Sequence, residues 1–246
     1  MRAAELLPLS ARQWVRAAPN RVTGALFHRG SRVQCPCCSS KYQEFAPFNG
    51  PNRTCWHCGS MERDRLLWIF FDRNPALFQS GMSILHVAPE LPLRPRLERI
   101  AGRYVAGDLD REFGEHTIDV TDIAFPDGSF DAVMCNHVLE HVPDDRKAMR
   151  ELRRVLRPNG WAILLVPDVH AEATVEDPTI TDPAERLRLF GQADHVRRYG
   201  RDYLQRLADA GFAPQAIDMG RELTDALVAR HRLQKYDQIE QIFLCR

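Results

Sequence analysis

Residues 117–142, T-I-D-V-T-D-I-A-F-P-D-G-S-F-D-A-V-M-C-N-H-V-L-E-H-V, restrict the possible folds more than any other stretch of the chain. A strand end carrying an acid (Ile118, Asp119) meets a turn at Pro126, Asp127 and Gly128. A second, largely apolar run from Phe130 to Cys135 follows, with a polar exit at Asn136 and His137. A short run without strict alternation suits a strand covered on both faces, as in parallel sheets. Parallel neighbours need covered crossovers, and helical patterns flank the stretch on both sides. The expected class is therefore α/β.

The chain has 246 residues, 44% of them hydrophobic, enough for one full core and a small additional module. No apolar run approaches the roughly 20 residues of a membrane-spanning helix. No leader pattern is evident either, so the expected setting is soluble and cytoplasmic. The formal net charge is +0, yet residues 1–34 hold six Arg against one Glu. A basic arm over residues 1–33 can meet phosphates, or simply be solvated or docked. One short helix is expected there, near Ala11 to Ala18, ending before Pro19.

Five of the seven cysteines lie between Cys35 and Cys58. Taking Cys35 with Cys38 and Cys55 with Cys58 gives C-x2-C-x16-C-x2-C. This spacing places each pair on a tight knuckle, and two knuckles close a tetrahedral thiolate site for Zn2+. Cys37 or His57 could replace a neighbour, but the paired arrangement favours the four named. A site with four protein ligands is closed, so the ion's role is structural. The zinc ribbon, residues 34–60, would brace the next helix or grip a substrate such as RNA. A connecting helix is expected over 61–80, capped by Ser60 and presenting Leu66, Leu67, Ile69, Phe70 and Phe71.

Farther on, S-I-L-H-V-A-P-E reads as a strand and loop, R-Y-V-A-G-D-L-D as a second strand, and G-W-A-I-L-L-V-P as a fifth. The strings D-V-T-D-I-A-F-P-D-G-S-F-D-A-V and N-H-V-L-E-H-V, set among these, closely resemble class I S-adenosylmethionine-dependent methyltransferases of the "type 11" kind. The resemblance covers roughly Ser83 to Phe212 and is weaker beyond. It implies a doubly wound, mostly parallel seven-stranded sheet, Rossmann-like, over residues 81–246. It also implies a cofactor site at the carboxyl ends of the strands. Asp108 would receive the ribose hydroxyls, with Leu109 beside it. Asp119 would receive the adenine amino group and the Val120 N–H a ring nitrogen, with Asp122 as the rival acid. The cofactor's methionine end would lie on the loop after the first strand. There the chain departs from the family's acid and glycines: His86, Ala88 and Glu90 stand in their places. Glu90 could meet the cofactor's ammonium group. Asn136 would line the pocket.

If an acceptor must lose a proton, His137, His170 and His195 are the candidate general bases, with His137 favoured by its place at the strand exit. H-V-L-E-H also has the spacing of an inverted zinc-protease motif. That motif needs a long helix, and a strand precedes it directly while Pro143 follows. Gly160 is expected to end the helix before the fifth strand in a left-handed conformation. His195, Arg197 and Tyr199 form a polar-aromatic group, either folded over the site or serving as a hinge. Three functions remain open: methyl transfer to a small molecule, methyl transfer to RNA, or a binding module without the cofactor.

Overall fold

The computed structural model describes residues 18–110, 115–167, 169–235 and 237–246. The chain falls into two compact units, which do not follow a single boundary near residue 81. The first comprises Met1–Phe78, Glu90–Arg99 and Asp218–Glu240; the second comprises Gln79–Pro89, Ile100–Ile217 and Gln241–Arg246.

The second unit holds a seven-stranded sheet built from β1 (Met82–Val87), β2 (Ala101–Asp108), β3 (His116–Thr117), β4 (Phe130–Cys135), β5 (Leu156–Ile163), β6 (Pro214–Ile217) and β7 (Ile242–Cys245). Their spatial order is β6-β7-β5-β4-β1-β2-β3. β1 pairs in parallel with β2 and β4, β2 with β3, and β4 with β5. The final pair is antiparallel, β7 to β5 and β6 to β7. This is the Rossmann-like, mostly parallel sheet. Central β1 and β4 are apolar nearly throughout, with Ile84, Leu85, Ala132, Val133, Met134 and Cys135 fully buried. That burial is what coverage of both faces demands.

Helix Asp145–Val155 begins where the Asp144 carboxylate accepts the Lys147 N–H at 2.9 Å. It buries Ala148, Met149, Leu152 and Val155, a single helical stripe. Its end differs from expectation. Leu156 is already extended, β5 begins there, and Gly160 lies inside the strand without a positive φ. Glycine is needed there for clearance, because a Cβ would sit 2.6 Å from Leu156 Cδ1 and 2.8 Å from the Asp131 carbonyl. The fifth strand therefore starts earlier than W-A-I-L-L-V-P and stops at Ile163.

In the first unit, a helix spans Ala18–Phe27 with Pro19 in its first turn rather than beyond its end. Most of the segment expected to be helical, 11–17, lies outside the described residues, as does the start of the basic arm. The connecting helix runs Glu62–Arg73 and buries Leu66, Leu67, Phe70 and Phe71. Its cap is not Ser60. Met61 takes that place, and the Asp64 carboxylate accepts the Met61 N–H at 2.8 Å. Ser60 faces the cysteines instead, with its Oγ 3.1 Å from Cys35 Sγ. Arg65, fully buried, stacks over the Phe45 ring at 4.6 Å and donates to the carbonyls of Arg53, Ser60, His231 and Arg232. One guanidinium thereby fastens the second cysteine loop to the end of helix Asp225–His231.

Candidate functional site

Strand register decides which side chains meet at the carboxyl edge of the sheet. Val87 is level with Gly107 and with Cys135, and Asp108 is level with Thr117. Ala88, Leu109, Asp119 and Asn136 therefore emerge just past the last paired residues of four adjoining parallel strands. In open α/β sheets this edge is where ligands bind. Gly107 permits the close approach of the third strand, since a Cβ there would lie 2.2 Å from Ile118 Cδ1.

Two non-glycine residues at this edge adopt left-handed backbone, Ala88 at φ 47° and His137 at φ 55°. Such conformations cost energy and persist where surrounding bonds enforce them. The Ala88 N–H donates to the Gly107 carbonyl at 2.8 Å, and the His137 N–H to the Leu165 carbonyl at 2.8 Å. Ala88 thus holds, without a glycine, a backbone shape that glycine would adopt freely.

Asp108 is half-buried, and its Oδ1 accepts the Asp110 N–H at 3.0 Å. Leu109 is exposed. Asp119 is exposed and its Oδ1 accepts both the N–H (2.8 Å) and the hydroxyl (2.7 Å) of Thr121. Those bonds hold its carboxyl below the usual carboxylate range. Asp119, rather than Asp122, therefore caps this turn, and it does so with one oxygen only. Val120 is buried. Asn136 is buried and its Oδ1 accepts the Leu165 N–H at 3.1 Å, so part of its amide is spent on joining the strand exits. His86 departs from expectation. It is fully buried, with Nδ1 2.8 Å from the Tyr104 hydroxyl, which makes it a polar member of the core. Glu90 belongs to the first unit, where its carbonyl accepts the Arg94 N–H at 3.2 Å as the helix Arg94–Ile100 starts.

Of the three candidate histidines, two come to the turn that follows β4. His137 Nδ1 is 3.5 Å from Glu140 Oε1. The His195 ring meets the His141 ring edge-on at 4.7 Å. Burial lowers the His195 pKa, keeping the imidazole neutral. His170 is an exposed loop residue. H-V-L-E-H forms no long helix; its last three residues, Leu139–His141, make a single 3-10 turn.

Arg197 and Tyr199 brace this turn from below. The buried Arg197 guanidinium donates to the carbonyls of Leu139 (2.8 Å), Val142 and Pro143 (2.8 Å), and its Nε to Glu176 Oε2 at 2.9 Å. The Tyr199 hydroxyl donates to Asp145 Oδ2 at 2.7 Å, and Arg206 bridges Asp145 and Glu176. Burial, and then the Asp145 charge, push the Tyr199 phenol well up, so it remains a donor. Sequence reading singled out Arg197 and Tyr199 but missed Asp145, Glu176 and Arg206. No local pattern marks them, because their partners lie on other segments.

In the first unit, one sulfur from each of Cys35, Cys38, Cys55 and Cys58 lies within 4.8 Å of the others. The Cys35–Cys58 and Cys38–Cys55 sulfurs are 3.6 and 3.7 Å apart. Bonds of about 2.3 Å to a tetrahedral ion would separate sulfurs by about 3.8 Å. The two knuckles are built alike. Cys35 N–H donates to the Ser40 carbonyl and Cys55 N–H to the Ser60 carbonyl, and a left-handed residue follows each pair, Ser39 at φ 62° and Gly59 at φ 75°. Cys37 is outside this set of four, its thiol donating toward the Asp64 carbonyl at 3.8 Å. Hydrogen bonds from Cys37 and the other thiols pull Cys35 far down, while the bond to Cys35 pushes Cys55 and Cys58 up. Thiolates this close repel one another, and a cation between them would offset that repulsion, so the cluster is compatible with a bound ion.

A family described as "Methyltransferase domain" matches residues 97–164. Ajmaline N-methyltransferase of Rauvolfia serpentina is 30% identical over 122 residues, 46% of this chain and 42% of that protein. 27-O-demethylrifamycin SV methyltransferase of Amycolatopsis mediterranei is 31% identical over 127 residues, 50% of this chain and 44% of that one. The solved YcgJ protein from Bacillus subtilis is 20% identical, with a TM-score of 0.46 over 72% of this chain and 94% of that chain. The chain thus spans less than half the length of the two curated relatives. No helix among the described residues is long and apolar enough to cross a membrane.

Proposed function

We propose that this chain, whose residues 97–164 belong to the methyltransferase domain family, transfers a methyl group from S-adenosylmethionine to a small-molecule acceptor. The observation that carries this reading is the gathering of Ala88, Asp108, Asp119 and Asn136 at the carboxyl ends of four adjoining parallel strands, with Ala88, Asp108 and Asn136 level and Asp119 two residues past Thr117, the partner of Asp108. The donor set fits the cofactor. Asp108 and Asp119 each use Oδ1 on their own turn, and a carboxylate has further acceptor capacity for ribose hydroxyls and an adenine amino group. The left-handed Ala88 supplies the loop shape for the methionine end.

When bound, S-adenosylmethionine supplies a methyl group already activated on sulfonium. The work of the chain is then to position, and to keep water out. In this reading the acids at the strand ends would orient the cofactor, Val120 and the buried Asn136 would lie beside it, and His137 would take an acceptor's proton. The names of the curated relatives, an alkaloid and a rifamycin methyltransferase, support a small-molecule acceptor. Zn2+ in the four-cysteine cluster would be structural, because all four of its positions are taken by sulfur.

Calorimetry of S-adenosylmethionine and S-adenosylhomocysteine against zinc-replete protein tests the reading, with Asp108→Ala alongside. Micromolar binding that the variant loses is the expected result. Folded protein that binds neither compound would overturn it.

A further inference from the structure

The turn after β4 gathers three side chains that the methyl-transfer reading leaves unused. One donor atom each from Glu140, His141 and His195 lies within 4.8 Å of the others. Glu140 is 1% exposed, and its Oε2 has no hydrogen-bond partner among the described residues. An orphaned carboxylate oxygen in the interior is costly unless a cation or a proton meets it. The nearby Arg197 guanidinium does not serve, because it donates to the carbonyls of Leu139, Val142 and Pro143 and to Glu176.

Each imidazole has its Nδ1 beside an acceptor oxygen. His195 Nδ1 is 3.0 Å from the Phe190 carbonyl, which can only accept, so Nδ1 carries the proton. His141 Nδ1 is 3.3 Å from Asp194 Oδ2, which assigns its proton in the same way. Each ring then keeps its lone pair on Nε2. Ligating histidines characteristically have their other nitrogen tied to a carbonyl or carboxylate in this manner. The Gln192 amide, 2.5 Å from His195 Nε2, occupies that lone pair in the absence of an ion. Gln192 is exposed and can rotate away. Val196 N–H donates to the Glu140 carbonyl at 2.9 Å, which fixes the two segments against each other.

We infer that Glu140, His141 and His195 form a second metal site, for a divalent transition ion of the zinc class, distinct from the four-cysteine cluster. One carboxylate and two imidazoles suit Zn2+ or Co2+ rather than Mg2+ or Ca2+. Three protein ligands leave a position open to water or another oxygen donor, and the His141 side chain, 34% exposed, lies on the solvent side. The pair Glu140–His141 comes from H-V-L-E-H, but its partner is His195, supplied from a distant segment, not His137. The inference does not depend on the methyl-transfer reading.

The test is Co2+ titration of full-length protein whose cysteine cluster is already loaded with Zn2+, followed by calorimetry and visible absorption. A second equivalent is expected, with the ligand-field bands of nitrogen and oxygen donors and without thiolate charge transfer. Glu140→Gln and His141→Gln should each weaken it by more than about 10-fold, and Asp194→Asn by about 10-fold through the His141 tautomer. Should Glu140→Gln fail to fold, the partly exposed His141 and the exposed Asp194 carry the test. Zinc-loaded protein that takes up no second equivalent overturns the inference. So does a second equivalent that His141→Gln binds as tightly as the parent does.

Discussion

Replacing Arg197 with Lys keeps the charge but removes the fork, and the structure sets the size of the effect. The guanidinium is 3% exposed and donates to three main-chain carbonyls, those of Leu139, Val142 and Pro143, and to Glu176, with Asp145 Oδ2 a further 3.6 Å from Nε. A lysine ammonium is a compact point donor and cannot span this set. At least two buried carbonyls lose their partner, at about 1–3 kcal/mol each. The loss should therefore be roughly 2–6 kcal/mol, the sum over two such carbonyls. Urea unfolding of zinc-replete protein at neutral pH, followed by circular dichroism, measures it. Arg198→Lys is the control, because its exposed neighbour should change stability by no more than about 0.5 kcal/mol. A loss under about 1 kcal/mol for Arg197→Lys, with the urea dependence unchanged, would refute the reasoning. It would mean that water replaces the guanidinium and that the turn does not depend on it.

Burial raises the Asp64 carboxyl from 3.8 to about 6. Its contribution to stability is thus greatest below the unfolded value and is lost as pH rises through the folded one, a swing of about 3 kcal/mol. Asp64→Asn should remove that swing, so the variant gains on the parent as pH rises from about 4 to about 6 in chemical unfolding; parallel curves over that range would count against a buried carboxyl held protonated. At Ala88, the left-handed backbone makes a β-branched residue costly, and Ala88→Val should lower stability by about 1–3 kcal/mol while Ala88→Gly is tolerated. Equal melting temperatures for the two variants would contradict the strained loop. Chelation should expose the thiols of Cys35, Cys38, Cys55 and Cys58 to a thiol reagent together, and four sulfurs reacting equally fast before chelation would argue against a bound ion.

The sequence by itself determined the local parts. Apolar runs marked the central strands, C-x2-C pairs marked the two knuckles, and acids at strand ends marked Asp108 and Asp119, because each signal is carried by residues a few positions apart. The ends of elements were less legible. Gly160 read as a helix exit but lies inside β5, since the pressure for glycine there comes from the Asp131 carbonyl on the adjoining strand. Ser60 read as a cap but faces Cys35. Ala88 read as a missing glycine, yet hydrogen bonding to Gly107 holds the left-handed shape without one.

Tertiary structure alone decided the rest. Arg197 reaches the Leu139 carbonyl across 58 positions, and Arg65 reaches that of His231 across 166. His195 is set beside Glu140 and His141, turning a rejected motif into part of a three-residue cluster. A spacing pattern can encode only what one turn or one strand brings together. Contacts between distant segments are fixed by how buried polar groups find partners once the strands have paired, and that choice is made by the folded chain as a whole.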